Sequence, residues 1–173
     1  YTVGVDQAPV FGTDSICTNR DYMVGAEITG SSGNYVINGN PTPGRTNPPE
    51  DAGVALTGGT QGRNILLGTS ANDTLEGGKK HDALIGRSGN DLLNGKKGND
   101  SILPWPSTSQ ESGETTVNGG DGFDRVYLKN SASTYTLLSE QSREECDNIY
   151  CRVESQTGDG ILHLYSIEQI VFK

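Results

Sequence analysis

Between residues 59 and 103 a large aliphatic side chain returns at every ninth position: Leu66, Leu75, Leu84, Leu93 and Ile102. Each stands near the end of a block that opens with glycine and polar residues: GTQGRNILL, GTSANDTLE, GGKKHDALI, GRSGNDLLN and GKKGNDSIL. A period of nine fits neither a helical repeat nor a long alternating strand. It fits a short unit made of a tight turn of about six residues and a strand of about three. Two such units complete one turn of a flattened solenoid, with the eighth-position aliphatics stacked inside. Blocks eighteen residues apart then lie directly above one another.

Two further columns keep the same register. Glycine opens every block, at Gly59, Gly68, Gly77, Gly86 and Gly95, and the sixth position holds Asn64, Asp73, Asp82, Asp91 and Asp100. The solenoid places Asp73 over Asp91 and Asp82 over Asp100. Carboxylates about 5 Å apart repel by roughly 3 kcal/mol at an effective dielectric near 20. A chain that stacks them calls for a cation between them, and turn carbonyls supply further hard oxygen donors, a set suited to Ca²⁺. Glycine serves where the turn needs positive φ or a close approach to the ion. One buried leucine returns less than the entropy lost in ordering nine residues, so the repeat is expected to fold only when the metal binds.

The flanking sequence is different. Residues 1–57 are rich in Gly, Asn, Thr and Pro with short apolar alternations (YTVGV, NYVING), and form an irregular β-rich segment. Within it, NGNPTPGRTNPPEDA is a linker or a long surface loop. A roll over residues 58–127 follows, with an inserted loop at 104–118. From 128 to 173 the pattern turns to β-alternation (YTLL, IYCRV, ILHL, IEQIVF), predicting an antiparallel cap. The fold class is all-β.

Composition sharpens this picture. With 24 glycines and 32% apolar residues in 173, the chain is poor in the side chains that build an ordinary core. Its net charge of −9 disfavours nucleic acid and anionic membranes as partners and favours multivalent cations. No apolar run is long enough for a membrane span. The chain starts at Tyr1, as expected of a processed product or a fragment. Cys146 and Cys151 bracket a short polar stretch that a disulfide could close, or all three cysteines, with Cys17, could stay as thiols.

Little points to catalysis. No nucleophile is paired in sequence with a base, and the glycine-rich run lacks the Lys-Ser/Thr ending of a phosphate loop. His81 takes an exposed turn position, and His163 is a strand residue. Trp105, between two prolines, either covers the apolar end of the roll or stands out as a binding residue. Glu111 and Glu114 could complete a calcium shell near Asp91 or remain free surface charges.

The blocks resemble the RTX nonapeptide G-G-x-G-x-D-x-U-x, and a sixth block, GGDGFDRVY from Gly119 to Tyr127, meets every fixed position. The segment VDQAPVFG resembles the opening of bacterial adhesin modules. The RTX resemblance implies a calcium-bound parallel β-roll in a protein exported by type I secretion, extracellular or at the cell surface. It implies calcium between stacked turns, held by carbonyls of the second and fourth positions above, of the first and third below, and by both aspartates. One site would use Thr69, Ala71 and Asp73 above Gly86, Ser88 and Asp91. A second would use Gly78, Lys80 and Asp82 above Gly95, Lys97 and Asp100. If the insertion loops out, a third joins Lys96, Gly98 and Asp100 to Gly119, Asp121 and Asp124. A fourth would pair Thr60, Gly62 and Asn64 with Gly77, Lys79 and Asp82, where Asn64 offers only a neutral oxygen. The expected count is two to four ions. Ala71 and Lys80 stand where the motif has its fourth-position glycine, so strain is expected there. The resulting expectation is a noncatalytic module serving adhesion or assembly, with other protein subunits or surface receptors as partners. The alternatives are the folding and export module of a secreted enzyme, or a subunit of an extracellular filament or surface layer.

Overall fold

A computed structural model of the chain describes residues 27–31, 34–38, 53–105, 113–138, 150–156 and 160–173, the first two stretches as backbone alone. The strands are β1 (Glu27–Ser31), β2 (Asn34–Asn38), β3 (Ala55–Thr57), β4 (Asn64–Leu67) and β5 (Thr74–Glu76). They continue with β6 (Ala83–Ile85), β7 (Leu92–Lys97), β8 (Ser101–Leu103), β9 (Glu114–Asp121) and β10 (Arg125–Leu128). The last four are β11 (Tyr135–Leu138), β12 (Cys151–Ser155), β13 (Ile161–Tyr165) and β14 (Gln169–Phe172). The sole described helical element is a 3-10 turn at Ala132–Thr134.

These strands form two sheets, ordered β1-β2-β4-β6-β8-β10-β14 and β11-β12-β13-β9-β7-β5-β3. Successive repeat strands alternate between the sheets and pair in parallel with the strand two ahead, as a two-unit coil requires. The register is the predicted one: Leu75 pairs with Leu93, and Leu84 with Ile102. Short strands carry one inward side chain each, flanked by partly exposed ones. The inner columns, Leu56, Leu75, Leu93 and Val117 facing Leu66, Leu84, Ile102 and Val126, are fully buried. That makes a continuous core only about one side chain deep per strand, which is thin for a domain.

The six extra residues of the insertion leave the coil intact. Leu93 pairs with Val117 and Ile102 with Val126, in each case twenty-four residues on. Trp105, at the start of the insertion, is 2% exposed and part of the core, so it covers apolar surface rather than displaying an indole. The tail is antiparallel only in part. The antiparallel pairs are β11–β12 and β12–β13, but β13 runs parallel to β9 and β14 parallel to β10. The expected antiparallel cap is thus joined to the roll by two more parallel rungs. At the other end, β2 and β3 pair in parallel with β4 and β5, so strands of all three sequence segments enter the same sheets.

Backbone strain falls elsewhere than expected. Ala71 and Lys80 do not take positive φ; Arg87 (81°) and Lys96 (76°), at the second position of their blocks, do. The fourth-position glycines Gly89 and Gly98 take it as anticipated. The turn bends through the left-handed region at two points, and the first of these is occupied by a side chain that meets its own carbonyl. Arg87→Gly should therefore stabilise the calcium-loaded roll by about 1 kcal/mol. That corresponds to a melting point raised by about 2–4 °C in a scan with calcium present. A lower melting point would contradict this account.

Of the cysteines, Cys151 is buried on β12, whereas Cys17 and Cys146 lie outside the described residues, as does the segment VDQAPVFG.

Candidate metal centre

Each aspartate stands immediately before a strand, where the turn hands its backbone N–H to the interior. Such a buried donor needs an acceptor, and the side chain one coil further on provides it. Asp73 N–H donates to Asp91 Oδ1 (2.9 Å), Asp82 N–H to Asp100 Oδ1 (2.7 Å), and Asp100 N–H to Asp124 Oδ1 (2.7 Å). Two columns result. The first runs from the Val54 N–H through Asp73 and Asp91 to the hydroxyl of Thr115. The second runs from Asn64 through Asp82, Asp100 and Asp124 to the carboxylate of Glu168.

The second carboxylate oxygens define the chemistry. Oδ2 of Asp73 accepts from the Thr69 N–H (2.6 Å) and that of Asp82 from the Gly78 N–H (2.5 Å). Oδ2 of Asp91, Asp100 and Asp124 is buried without a partner. Leaving a carboxylate oxygen so is costly. Each points to the opening glycine of its own block. A Cβ on Gly95 would stand 2.3 Å from Asp100 Oδ2 and 2.5 Å from the Gly119 carbonyl oxygen. On Gly68 it would meet Asp73 Oδ2 (2.5 Å) and Gly86 O (2.4 Å), and on Gly77 it would meet Asp82 Oδ2 (2.9 Å) and Gly95 O (2.4 Å). The missing side chain thus lets a carboxylate and a carbonyl of the next coil converge on the glycine. The donors are all hard oxygens, the set that fits Ca²⁺.

Several of the expected ligand carbonyls sit at contacts between successive coils. The carbonyls of Ala71, Lys80, Lys96 and Gly98 press against Gly89, Gly98, Gly120 and Gly122 of the coil below. Gly78 O accepts the Lys97 N–H, and Asp121 O accepts the Gly98 N–H. The Asp121 carboxylate is outside the columns, exposed and paired with the Lys97 ammonium at 2.8 Å. Ser88 is half-buried in its turn.

At the Asn64 end the space is filled. Asn64 Nδ2 donates to Gly59 O (3.0 Å), Gly62 O (3.3 Å) and Asp82 Oδ1 (2.8 Å), so an amide group collects three oxygens. Glu114 faces away from Asp91: its carboxylate bonds the His163 ring, whose other nitrogen meets the Tyr150 hydroxyl. Thr115 stands below Asp91 instead, and Glu111 lies outside the described residues.

Three features escaped the sequence reading. Thr115, the second residue of β9, and Glu168, one residue before β14, end the columns without a glycine frame to mark them. The third had a signal, unread, in the repeated Asn-Asp pairs. Asn72, Asn90 and Asn99 accept, through their amide oxygens, the N–H of Asn90, Glu114 and Phe123 on the next coil. His81 does the same for Asn99 through Nδ1 at 2.6 Å.

Burial pushes the Asp91 and Asp100 carboxyls up to about 7 and Asp124 up to about 6, with neighbouring carboxylates adding to the effect. Burial raises Asp73 and Asp82 as well. The metal-free folded roll therefore binds more protons than the unfolded chain between about pH 4 and pH 7. Its stability must fall as pH rises through that window. Calcium-free chain should show more β-structure by circular dichroism at pH 5 than at pH 7.5. Calcium, which needs the carboxylates ionised, should bind with proton release and more weakly at the lower pH.

The fold and site define a class: a parallel β-roll with stacked aspartates and turn carbonyls, a hard-oxygen set of the kind that suits a divalent cation. The family model for the RTX calcium-binding nonapeptide repeat (4 copies) matches residues 58–93 and again 67–102. Over this stretch the chain carries the repeat that this model describes. No curated protein matches the chain. Among the described residues, no helix is long and apolar enough to cross a membrane.

Proposed function

We propose that the chain is a noncatalytic calcium-dependent structural module of a secreted or cell-surface protein, folded by extracellular calcium and used in adhesion or assembly. The carrying observation is the set of buried, unpartnered carboxylate oxygens on Asp91, Asp100 and Asp124, one in each of the three stacked aspartate pairs. Three ions are held between Asp73 and Asp91, between Asp82 and Asp100, and between Asp100 and Asp124, with the turn carbonyls named above. At the fourth expected set the Asn64 amide replaces the ion. Sites of this kind outside the cell bind at about 10⁻⁴–10⁻³ M.

An assembly role draws support from the outer face of the first sheet. Ile65 is 40% exposed there, and Leu67, Ile85, Leu103 and Tyr127 are half-buried beside it on outward positions. Apolar rows on a solvent face mark contact surfaces. Titration calorimetry with calcium and then magnesium tests the metal reading: calcium binding in the millimolar range or tighter is expected, with magnesium far weaker because it demands a smaller octahedral shell. No heat and no folding at about 10 mM calcium would reject it. Sedimentation in calcium tests assembly. Reversible association supports it, whereas a strict monomer favours the alternative, a folding and export module attached to a secreted enzyme.

A further inference from the structure

The cradle recurs once more at the last block, where its second half comes from outside the repeat motif. At Gly119 a Cβ would stand 2.5 Å from Asp124 Oδ2 and 2.1 Å from the carbonyl oxygen of Ser166. The first oxygen comes from the block's own aspartate, as at Gly68, Gly77, Gly86 and Gly95. The second comes from the tail. Asp124 is fully buried and its Oδ2 has no partner. Below it, Glu168 Oε2 accepts the Asp124 N–H at 2.5 Å, the position that Asp124 Oδ1 takes under Asp100. Asp124 O in turn accepts the N–H groups of Glu168 (3.2 Å) and Gln169 (3.1 Å). Ser166 takes positive φ (50°), like Arg87 and Lys96 in the repeat turns. In space, then, Ser166 to Gln169 act as one more turn of the roll.

The charges also match. Two carboxylates meet here in a half-buried to buried setting, and the adjacent cation does not answer them. The Arg125 guanidinium bonds the Gln169 side chain and lies 4.7 Å over the Phe123 ring.

We propose that Asp124, Glu168 and the Ser166 carbonyl form a further calcium site that fastens β14, and with it the C-terminal cap, to the last coil. This rests on reading the aspartate columns as calcium ligands. The cap then docks by the same ion chemistry that orders the repeats.

Native mass spectrometry of the whole chain in calcium tests it, using wild type, Glu168→Gln and Asp73→Asn. The glutamine amide keeps an acceptor for the Asp124 N–H and removes the charge. Glu168→Gln should hold one ion fewer than wild type and raise hydrogen exchange of residues 166–173 about tenfold. Asp73→Asn should also lose an ion but leave exchange of that segment unchanged. An unaltered ion count and exchange in Glu168→Gln, with wild type binding calcium, would overturn the proposal alone. A wild type that binds none would overturn the underlying reading. Should Glu168→Gln not fold, anomalous scattering from wild-type crystals grown in calcium decides. A peak touching Asp124 Oδ2 and the Glu168 carboxylate is expected; its absence, with peaks present along the columns, overturns the site.

Discussion

Stripped of calcium at neutral pH, the chain should lose most of its β-sheet circular dichroism and regain it cooperatively as calcium rises into the millimolar range. The reason lies in what the roll buries. Each repeat strand contributes a single inward aliphatic, while Asp73, Asp82, Asp91, Asp100 and Asp124 are at most 3% exposed. Unfolding returns those carboxylates to water, so burial that stabilises an ordinary core is offset here by desolvation of charge. Calcium reverses the balance. At a free concentration a hundredfold above its dissociation constant each site adds about 2.7 kcal/mol, or about 8 kcal/mol for three. That is comparable to the whole stability of a typical domain, about 5–15 kcal/mol. A β spectrum unchanged by chelator would show that the aliphatic columns and strand ladders suffice alone.

Asp100 is the position where one substitution should do most damage. Its Oδ1 accepts the Asp82 N–H, its own N–H donates to Asp124 Oδ1, and its Oδ2 faces the Gly95 cradle. It belongs to two of the three proposed sites. Asp100→Asn keeps an oxygen for the Asp82 N–H and removes the charge, so the calcium needed for half-folding should rise by at least about tenfold, equivalent to about 1.4 kcal/mol. Asp100→Ala also orphans that N–H, which costs about 1–3 kcal/mol more. Asp121→Asn, on an exposed carboxylate, is the control and should leave the midpoint where it is. Folding curves against free calcium for the three variants decide between roles. If Asp100→Asn behaves as wild type, the column is a hydrogen-bond ladder rather than a metal ligand.

The legible part of this structure was the part with a period. Glycine, aspartate and aliphatic columns nine residues apart predicted the coil, its parallel pairing, and Asp73 over Asp91 and Asp82 over Asp100. They could do so because each unit is a local turn and strand whose contacts repeat at a fixed separation. The same logic carried across the insertion to Asp124, since a glycine-framed block resumed there. It misplaced the strain, because which turn position takes positive φ depends on how the coil stacks, and Arg87 and Lys96 carry it where Ala71 and Lys80 were expected to.

By itself, then, the sequence determined the roll, its aspartate register and the hard-oxygen chemistry that suits calcium. The tertiary structure decided how the columns end: an amide at Asn64, a hydroxyl at Thr115, a carboxylate at Glu168. It also decided that Trp105 is core and that β13 and β14 extend the parallel ladders. Glu168 meets Asp124 across forty-four residues. A pairing of that range is fixed by where the chain returns to the sheet edge, and no local period encodes it.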